Sequence, residues 1–213
     1  MARKFGLGSQ KGGVWKSTIA RALGVAFTQN GWSVKIIDLD TKQGTCTAWQ
    51  QRRLHNGITP DVPVQMFGNV ATAIANSSDA DLLIFDGAPH ATTETVEIAK
   101  AVDMMILPTG LSLDDLVPTV TLANTLADKH GIDPARIVFA LCKATSDAEV
   151  LAAREYLGKT RFATLDGSIQ HKPSYSQAMD AGLSLIETPH PAPRKRAIEL
   201  VSAAVEKFQE LSQ

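Results

Sequence analysis

Cysteine is nearly absent: Cys46 and Cys142 are the only two in 213 residues. They lie far apart in the chain, which excludes a disulfide framework and a metal-knuckle spacing, and a reducing cytoplasm is the expected setting. An excess of charge of one sign is missing too. The formal net charge is -1, so any contact with DNA has to come from a local basic patch rather than a bulk field. No apolar run approaches the ~20 residues that cross a bilayer. The opening segment ARKFGLGSQ reads as a strand and loop without a signal-peptide core. Repeats, low-complexity tracts and long linkers are lacking. The histidines His55, His90, His130, His171 and His190 are scattered, with no His-x-x-x-His pair, so a zinc site is not expected.

What is present is an ordinary globular composition, 44% hydrophobic and 20% charged. The length makes one domain over residues 1–213 the default, with enough chain for a sizeable core. Strand-like apolar runs occupy residues 4–8, 33–40, 81–87, 104–108 and 137–142, with a shorter candidate at 64–67. Helical spacing of Ile19, Ala20, Leu23, Ala26 and Phe27 predicts a helix over 16–30, stopped by Gly31. Further helices are expected over 92–101, 113–130 and 147–157. A proline-rich hinge at 187–196 is expected before a last helix at about 195–211. Apolar strands alternating with helices predict an α/β fold: a mainly parallel sheet with helices on both faces.

Ligands of such sheets sit beyond the carboxyl ends of the strands. The glycine-rich segment after the first strand, Asp38 and Asp40, Asp86 with Gly87, and Pro108 all fall there. The first of these, GSQKGGVWKST, places a glycine-rich turn before Lys-Ser-Thr at a helix start, as in P-loop nucleotide-binding folds. Backbone N–H groups of Gly12, Gly13, Val14 and Trp15 and the positive helix end would face phosphates. Lys16 would contact the β- and γ-phosphates, the Ser17 hydroxyl would ligate Mg²⁺, and Thr18 would reach the α-phosphate region. Asp86, closing an apolar strand, is suited to hold Mg²⁺ through water; the bland alternative is a turn-former before Gly87.

KGGVWKST resembles the deviant Walker A loop K-G-G-x-G-K-[ST] of the ParA/MinD superfamily of ATPases. The mark of that group is the early lysine, here Lys11. DLDTKQGT resembles its switch segment, LLIFDGAP its Walker B segment, and ILPTGLSLDDLVPT and SIQHKPSYSQAMDAGLSLIE its later segments. The likeness covers nearly the whole chain and points to the small partition-type members, those without an N-terminal helix-turn-helix. It implies ATP and Mg²⁺ as cofactors and a homodimer formed on ATP, with Lys11 reaching the partner's phosphates. It further implies that Asp40 positions the attacking water and belongs, with Ser17 and Asp86, to the Mg²⁺ site. Non-specific DNA and a cargo-associated activating protein are the implied partners, on the nucleoid in the cytoplasm.

Two departures matter. Thr41 and Lys42 stand where Pro-Gln is common, and Trp15 stands where the family has glycine. Left-handed backbone is penalised by ~1–2 kcal/mol for a residue other than glycine, and an indole adds roughly 200 Å² of surface beside the phosphates. Either the ring turns outward and leaves the pocket open, or it takes phosphate or partner-lysine space. Impaired ATP binding and hydrolysis is the expectation from Trp15; because Lys11, Lys16, Ser17, Asp40 and Asp86 are all retained, it reads as a recent or deliberate substitution in an otherwise competent enzyme.

Elsewhere, Trp32 and Trp49 read as packing or surface residues, and WQQRR (49–53) as a polar helix face or a partner-facing surface. Basic residues at the start of the last helix oppose its dipole and invite a functional reading. Arg194, Lys195 and Arg196, with Lys172 and also Lys159 and Arg161, would form either one basic face for DNA phosphates or a solvated basic cluster, and the resemblance favours DNA. The last helix ends EKFQELSQ, a poor membrane face, so no membrane contact is expected. Three alternatives remain: a MinD-like membrane-associated ATPase, a nucleotide-free adaptor, and a metabolic ATPase or ligase of the same sheet type.

Overall fold

The short apolar runs become strands whose alternate residues feed two separate cores. The computed structural model describes residues 2–77, 79–89 and 92–211; His90 lies outside them. The strands are β1 (Arg3–Leu7), β2 (Val34–Asp38), β3 (Val64–Met66), β4 (Leu82–Asp86), β5 (Met104–Thr109), β6 (Ile137–Ala144), β7 (Ala163–Thr164) and β8 (Ile169–Gln170). The order across the sheet is β3-β2-β4-β1-β5-β6-β7, with β8 pairing the end of β6, and every pairing is parallel. In β4, Leu82 and Ile84 enter one core while Leu83 and Phe85 enter the other, and β5 and β6 alternate in the same way. This is the two-face burial that makes parallel strands read as continuous apolar runs.

Helices α1 (Lys16–Gln29), α2 (Thr45–His55), α7 (Pro173–Asp180) and α8 (Pro191–Glu210) supply one core. Helices α3 (Val70–Ala75), α4 (Thr92–Ala101), α5 (Leu113–His130) and α6 (Asp147–Leu157) supply the other. Starts are set by local chemistry: Asn69 and Ser146 accept from backbone N–H groups three residues on, capping α3 and α6. Gly131, in the left-handed region at φ 68, ends α5.

The proline-rich segment is not a hinge. Helix α8 begins at Pro191, so Pro191 and Pro193 occupy its first turn, where a missing N–H breaks no helical bond. Arg194, Lys195 and Arg196 therefore lie in the second turn, away from the positive end, and the expected conflict with the dipole is much reduced.

The sheet order sets the site. Strand β1 lies between β4 and β5, so the loop leaving it rises where the connections diverge to opposite sides. The N–H of Gly87 donates to Leu7 O at 3.2 Å and that of Leu39 to Asp86 O at 3.0 Å. These bonds bring the carboxyl ends of β1, β2 and β4 level.

Candidate functional site

The loop from Ser9 to Trp15 is held by its own polar groups. The Ser9 hydroxyl donates to Lys11 O at 2.6 Å and accepts from Lys16 Nζ at 3.1 Å. Gly13 turns at φ 70, a conformation open to glycine at no steric cost. Helix α1 starts at Lys16, and the N–H of Ile19 donates to Trp15 O at 3.0 Å. A cavity of about 200 Å³ lies over this helix start, lined by Gly13, Trp15, Lys16, Ser17, Thr18 and Asp40 among others. Gly12 is exposed beside it, and Val14 is buried beneath. A larger open groove of about 610 Å³ lies at the far end of the sheet, between Arg3, Trp32 and Asp81. It lies at the amino ends of β1 and β4, away from the strand ends where such sheets bind ligands.

Asp86 is buried next to Ser17 and Gly87 of the cavity lining. Burial pushes its carboxyl up to about 6, against hydrogen bonds from Ser17 and from Cys46, whose Sγ lies 3.2 Å from Oδ2. Its other oxygen, Oδ1, is buried and has no hydrogen-bond partner among the described residues. An orphaned buried carboxylate oxygen beside a serine hydroxyl fits a hydrated magnesium ion, whose positive charge would favour the ionised acid. Burial likewise lowers the Lys16 ammonium, opposed by Asp86, Asp40 and Glu94. Glu94, raised by burial, accepts from Ala88 N at 2.7 Å and orders the turn after β4.

The two acids closing β2 divide their work. Asp38 is fully buried and accepts from Cys46 N at 3.0 Å, from Thr47 N at 3.1 Å and from the Thr47 hydroxyl at 3.1 Å. It replaces the side-chain cap that Gly44 cannot give to α2. Asp40 borders the cavity and accepts from Gln43 N at 3.0 Å, which folds the segment after it.

Lys11 does not reach into the cavity: its Nζ sits 2.9 Å from Asp115 Oδ1 in the first turn of α5. Trp15 carries φ 72 and ψ 27, so the left-handed conformation expected at this position is present in a tryptophan. The ring is half-buried and meets Tyr175 edge-on at 5.9 Å between centroids, with His171 at 6.3 Å. It thus turns towards its own α7 while still lining the cavity.

The basic residues fall into two groups. The Tyr175 hydroxyl donates to Pro193 O at 2.6 Å, joining the starts of α7 and α8. Lys172, Arg194 and Lys195 are exposed at this end, and Arg196 pairs with Asp147 at 3.0 Å. Lys159 and Arg161 do not join them. They lie beyond the other end of α6 from Arg196, just before β7, and pair with Glu155 and Asp128. The run 49–53 is also not one polar face. Trp49 is fully buried and donates from Nε1 to Leu183 O at 3.0 Å. Arg53, also fully buried, forks onto Glu187 at 2.8 and 2.9 Å.

Sequence reasoning missed Ser9, Cys46, Glu94 and Asp115 as members of this neighbourhood. Asp115 lay within a quoted segment but had no partner until the fold brought Lys11 to it. Cys46 follows the switch segment directly, which was the available signal.

Residues 6–210 match the family described as CobQ/CobB/MinD/ParA nucleotide binding domain. No curated protein matches the chain in sequence. Among solved structures, apo McdA of Cyanothece is 18% identical, with a TM-score of 0.71 over 96% of this chain and 100% of that one. A protein assigned to plasmid partition in Borrelia burgdorferi B31, bound to AMPPNP, is 16% identical, with a TM-score of 0.73 over 97% and 100%. The septum site-determining protein MinD of Pyrococcus horikoshii OT3, complexed with Mg-ADP, is 17% identical, with a TM-score of 0.73 over 100% and 99%. At these identities the likeness is one of fold.

Proposed function

Because the chain belongs to the CobQ/CobB/MinD/ParA nucleotide-binding family, we propose that it is an ATP-dependent positioning protein whose nucleotide affinity is lowered by Trp15. On this reading it binds Mg-ATP at the loop and pairs with a second copy. It then coats DNA without sequence preference on the cytoplasmic nucleoid, and lets go when a cargo-associated partner stimulates hydrolysis. The observation that carries it is the convergence of Lys16, Ser17 and Asp40 around one cavity at the carboxyl ends of the strands, with the orphaned Asp86 oxygen buried next to Ser17 and Gly87 of its lining. The partition and MinD relatives, bound to AMPPNP and Mg-ADP, support the choice of ligand.

Each residue has a part. Loop N–H groups and Lys16 gather phosphate charge, which stabilises a transition state whose charge spreads over phosphoryl oxygens. Ser17 and Asp86 would hold Mg²⁺, which supplies further neutralisation of that charge. Asp40 orients the attacking water. Lys11 leaves Asp115 and meets the partner's phosphates, so that dimerisation reports the nucleotide. Contacts from Lys172, Arg194, Lys195 and Arg196 to DNA phosphates carry no base readout.

One observation favours a second reading, a nucleotide-free adaptor of the same fold. A cavity of about 200 Å³ suits phosphates but falls below the ~300–1,000 Å³ of sites that bury a whole ligand, and Trp15 forms part of its wall. Titration of Mg-ATP into the chain and into Trp15→Gly separates the two. The ATPase reading requires weak binding that tightens at least tenfold on reversion, with faster hydrolysis. Absence of binding by both proteins supports the adaptor.

A further inference from the structure

Among the described residues, two that are not glycine have positive φ: Trp15 at 72 and Lys143 at 60. The second lies at the carboxyl end of β6, where the pairing with β8 shifts register between Cys142 and Ala144. An irregularity of this kind re-aims a side chain at a strand end, and left-handed backbone in a residue other than glycine persists only where the surroundings impose it. Here it turns Lys143 towards the loop. Its Nζ comes within 3.8 Å of where a Cβ on Gly13 would stand, so the ammonium rests against the rim of the candidate site. Its charge is felt by Asp115, which already pairs with Lys11. Lys143 forms no ion pair of its own among the described residues. Lys11 and Lys16 thus have partners, in Asp115 and Ser9, while a third ammonium beside the same loop has none.

We propose that Lys143 is a nucleotide-binding residue whose ammonium, held over Gly13 by the irregular end of β6, pairs with the polyphosphate of a nucleotide in the same chain. The inference rests on the nucleotide reading of the loop and adds a contact that the loop sequence does not contain. A cation there has a second consequence: when Lys11 leaves for a partner copy, Lys143 stays behind as the counter-charge of Asp115. The strained backbone is retained because it aims the ammonium, so affinity and unliganded stability make opposite demands on this position.

The test is calorimetric titration of Mg-ATP into the full chain and into the full chain bearing Trp15→Gly, each with Lys143 intact, Lys143→Met or Lys143→Gly. Loss of a charge-assisted contact weakens binding by roughly tenfold or more, and the affinity that remains in Lys143→Met depends less steeply on salt. Lys143→Gly loses the same affinity, yet without nucleotide it unfolds at an equal or higher temperature, because glycine removes the left-handed penalty. Binding unchanged by Lys143→Met overturns the assignment while leaving the nucleotide reading intact. A lower unfolding temperature in Lys143→Gly makes the residue structural and overturns it as well. Failure of both parent proteins to bind overturns the nucleotide reading together with this one.

Discussion

Lys11 Nζ lies 2.9 Å from Asp115 Oδ1, so the lysine that marks the loop is paired within its own chain. The ammonium also holds the Asp115 carboxyl below its usual range, the Ser112 hydroxyl adding to the effect. Both side chains are partly exposed, at 41% and 29%, and such pairs are worth ~0–1 kcal/mol. A hold of this strength keeps Lys11 in place without preventing its departure. Asp115→Asn is therefore expected to lower the concentration at which a nucleotide-bound dimer forms, by up to about fivefold. Sedimentation velocity in Mg-ATP measures this in the Trp15→Gly background. A marked rise in that concentration would show that Asp115 serves the dimer rather than restraining Lys11.

Asp86 links pH to stability. Its carboxyl is pushed by burial from 3.8 to about 6. A carboxyl raised in the folded state adds stability below its unfolded value, and that contribution is lost as pH rises through about 6. Asp86→Asn should thus stabilise the unliganded chain at pH 8 by on the order of 2 kcal/mol, with little difference at pH 4. The full shift is not recovered because Lys16 and Ser17 lose a partner. Urea unfolding at the two pH values gives the comparison, and equal gaps at both would exclude a buried, strained carboxylate. Magnesium-dependent nucleotide binding should disappear in the same variant.

The Arg53–Glu187 pair fastens α2 to the segment after α7. Arg53 also donates to Pro60 O at 2.8 Å and Gly182 O at 3.1 Å, and its guanidinium lies 5.4 Å from the Trp49 ring. Glu187→Ala leaves a wholly buried guanidinium without its counter-charge, which costs about 3–5 kcal/mol. Arg53→Met combined with Glu187→Leu should recover most of the loss, as seen in chemical denaturation. A single-variant loss below 1 kcal/mol would mean that water reaches the pair.

For DNA, the fold separates two basic groups that the sequence alone cannot. Replacing Lys172, Arg194 and Lys195 with glutamate should weaken binding to arbitrary duplexes and reduce the log–log salt slope by roughly 3. Changing Lys159 and Arg161 to glutamate should alter neither quantity. Filter binding over a salt series reads both, and equal effects from the two sets would remove the first group as the contact face.

Legibility followed the range of the interactions. Apolar strand runs and helical spacing are local signals, and α4, α5 and α6 begin and end where the spacing puts them. The convergence of the loop, Asp40 and Asp86 was legible because parallel strands present their carboxyl ends together. Strands β7 and β8, of two residues each, carry no periodicity to read. The first turn of α8 reads as a hinge in sequence because proline breaks helices in general yet suits their first turn. The roles of Arg53 and Asp115 are not legible in sequence because the acid of the first lies 134 positions away and the lysine of the second lies 104 positions away. Pairings at that distance exist only once the sheet has formed.

Whether nucleotide gates self-association is read from the solution mass of Trp15→Gly by light scattering, with and without saturating Mg-ATP. Expected is a monomer that becomes a dimer on nucleotide addition, with Lys11→Ala abolishing the change while nucleotide still binds. A Trp15→Gly protein that stays monomeric and unliganded at saturation would contradict nucleotide-gated self-association.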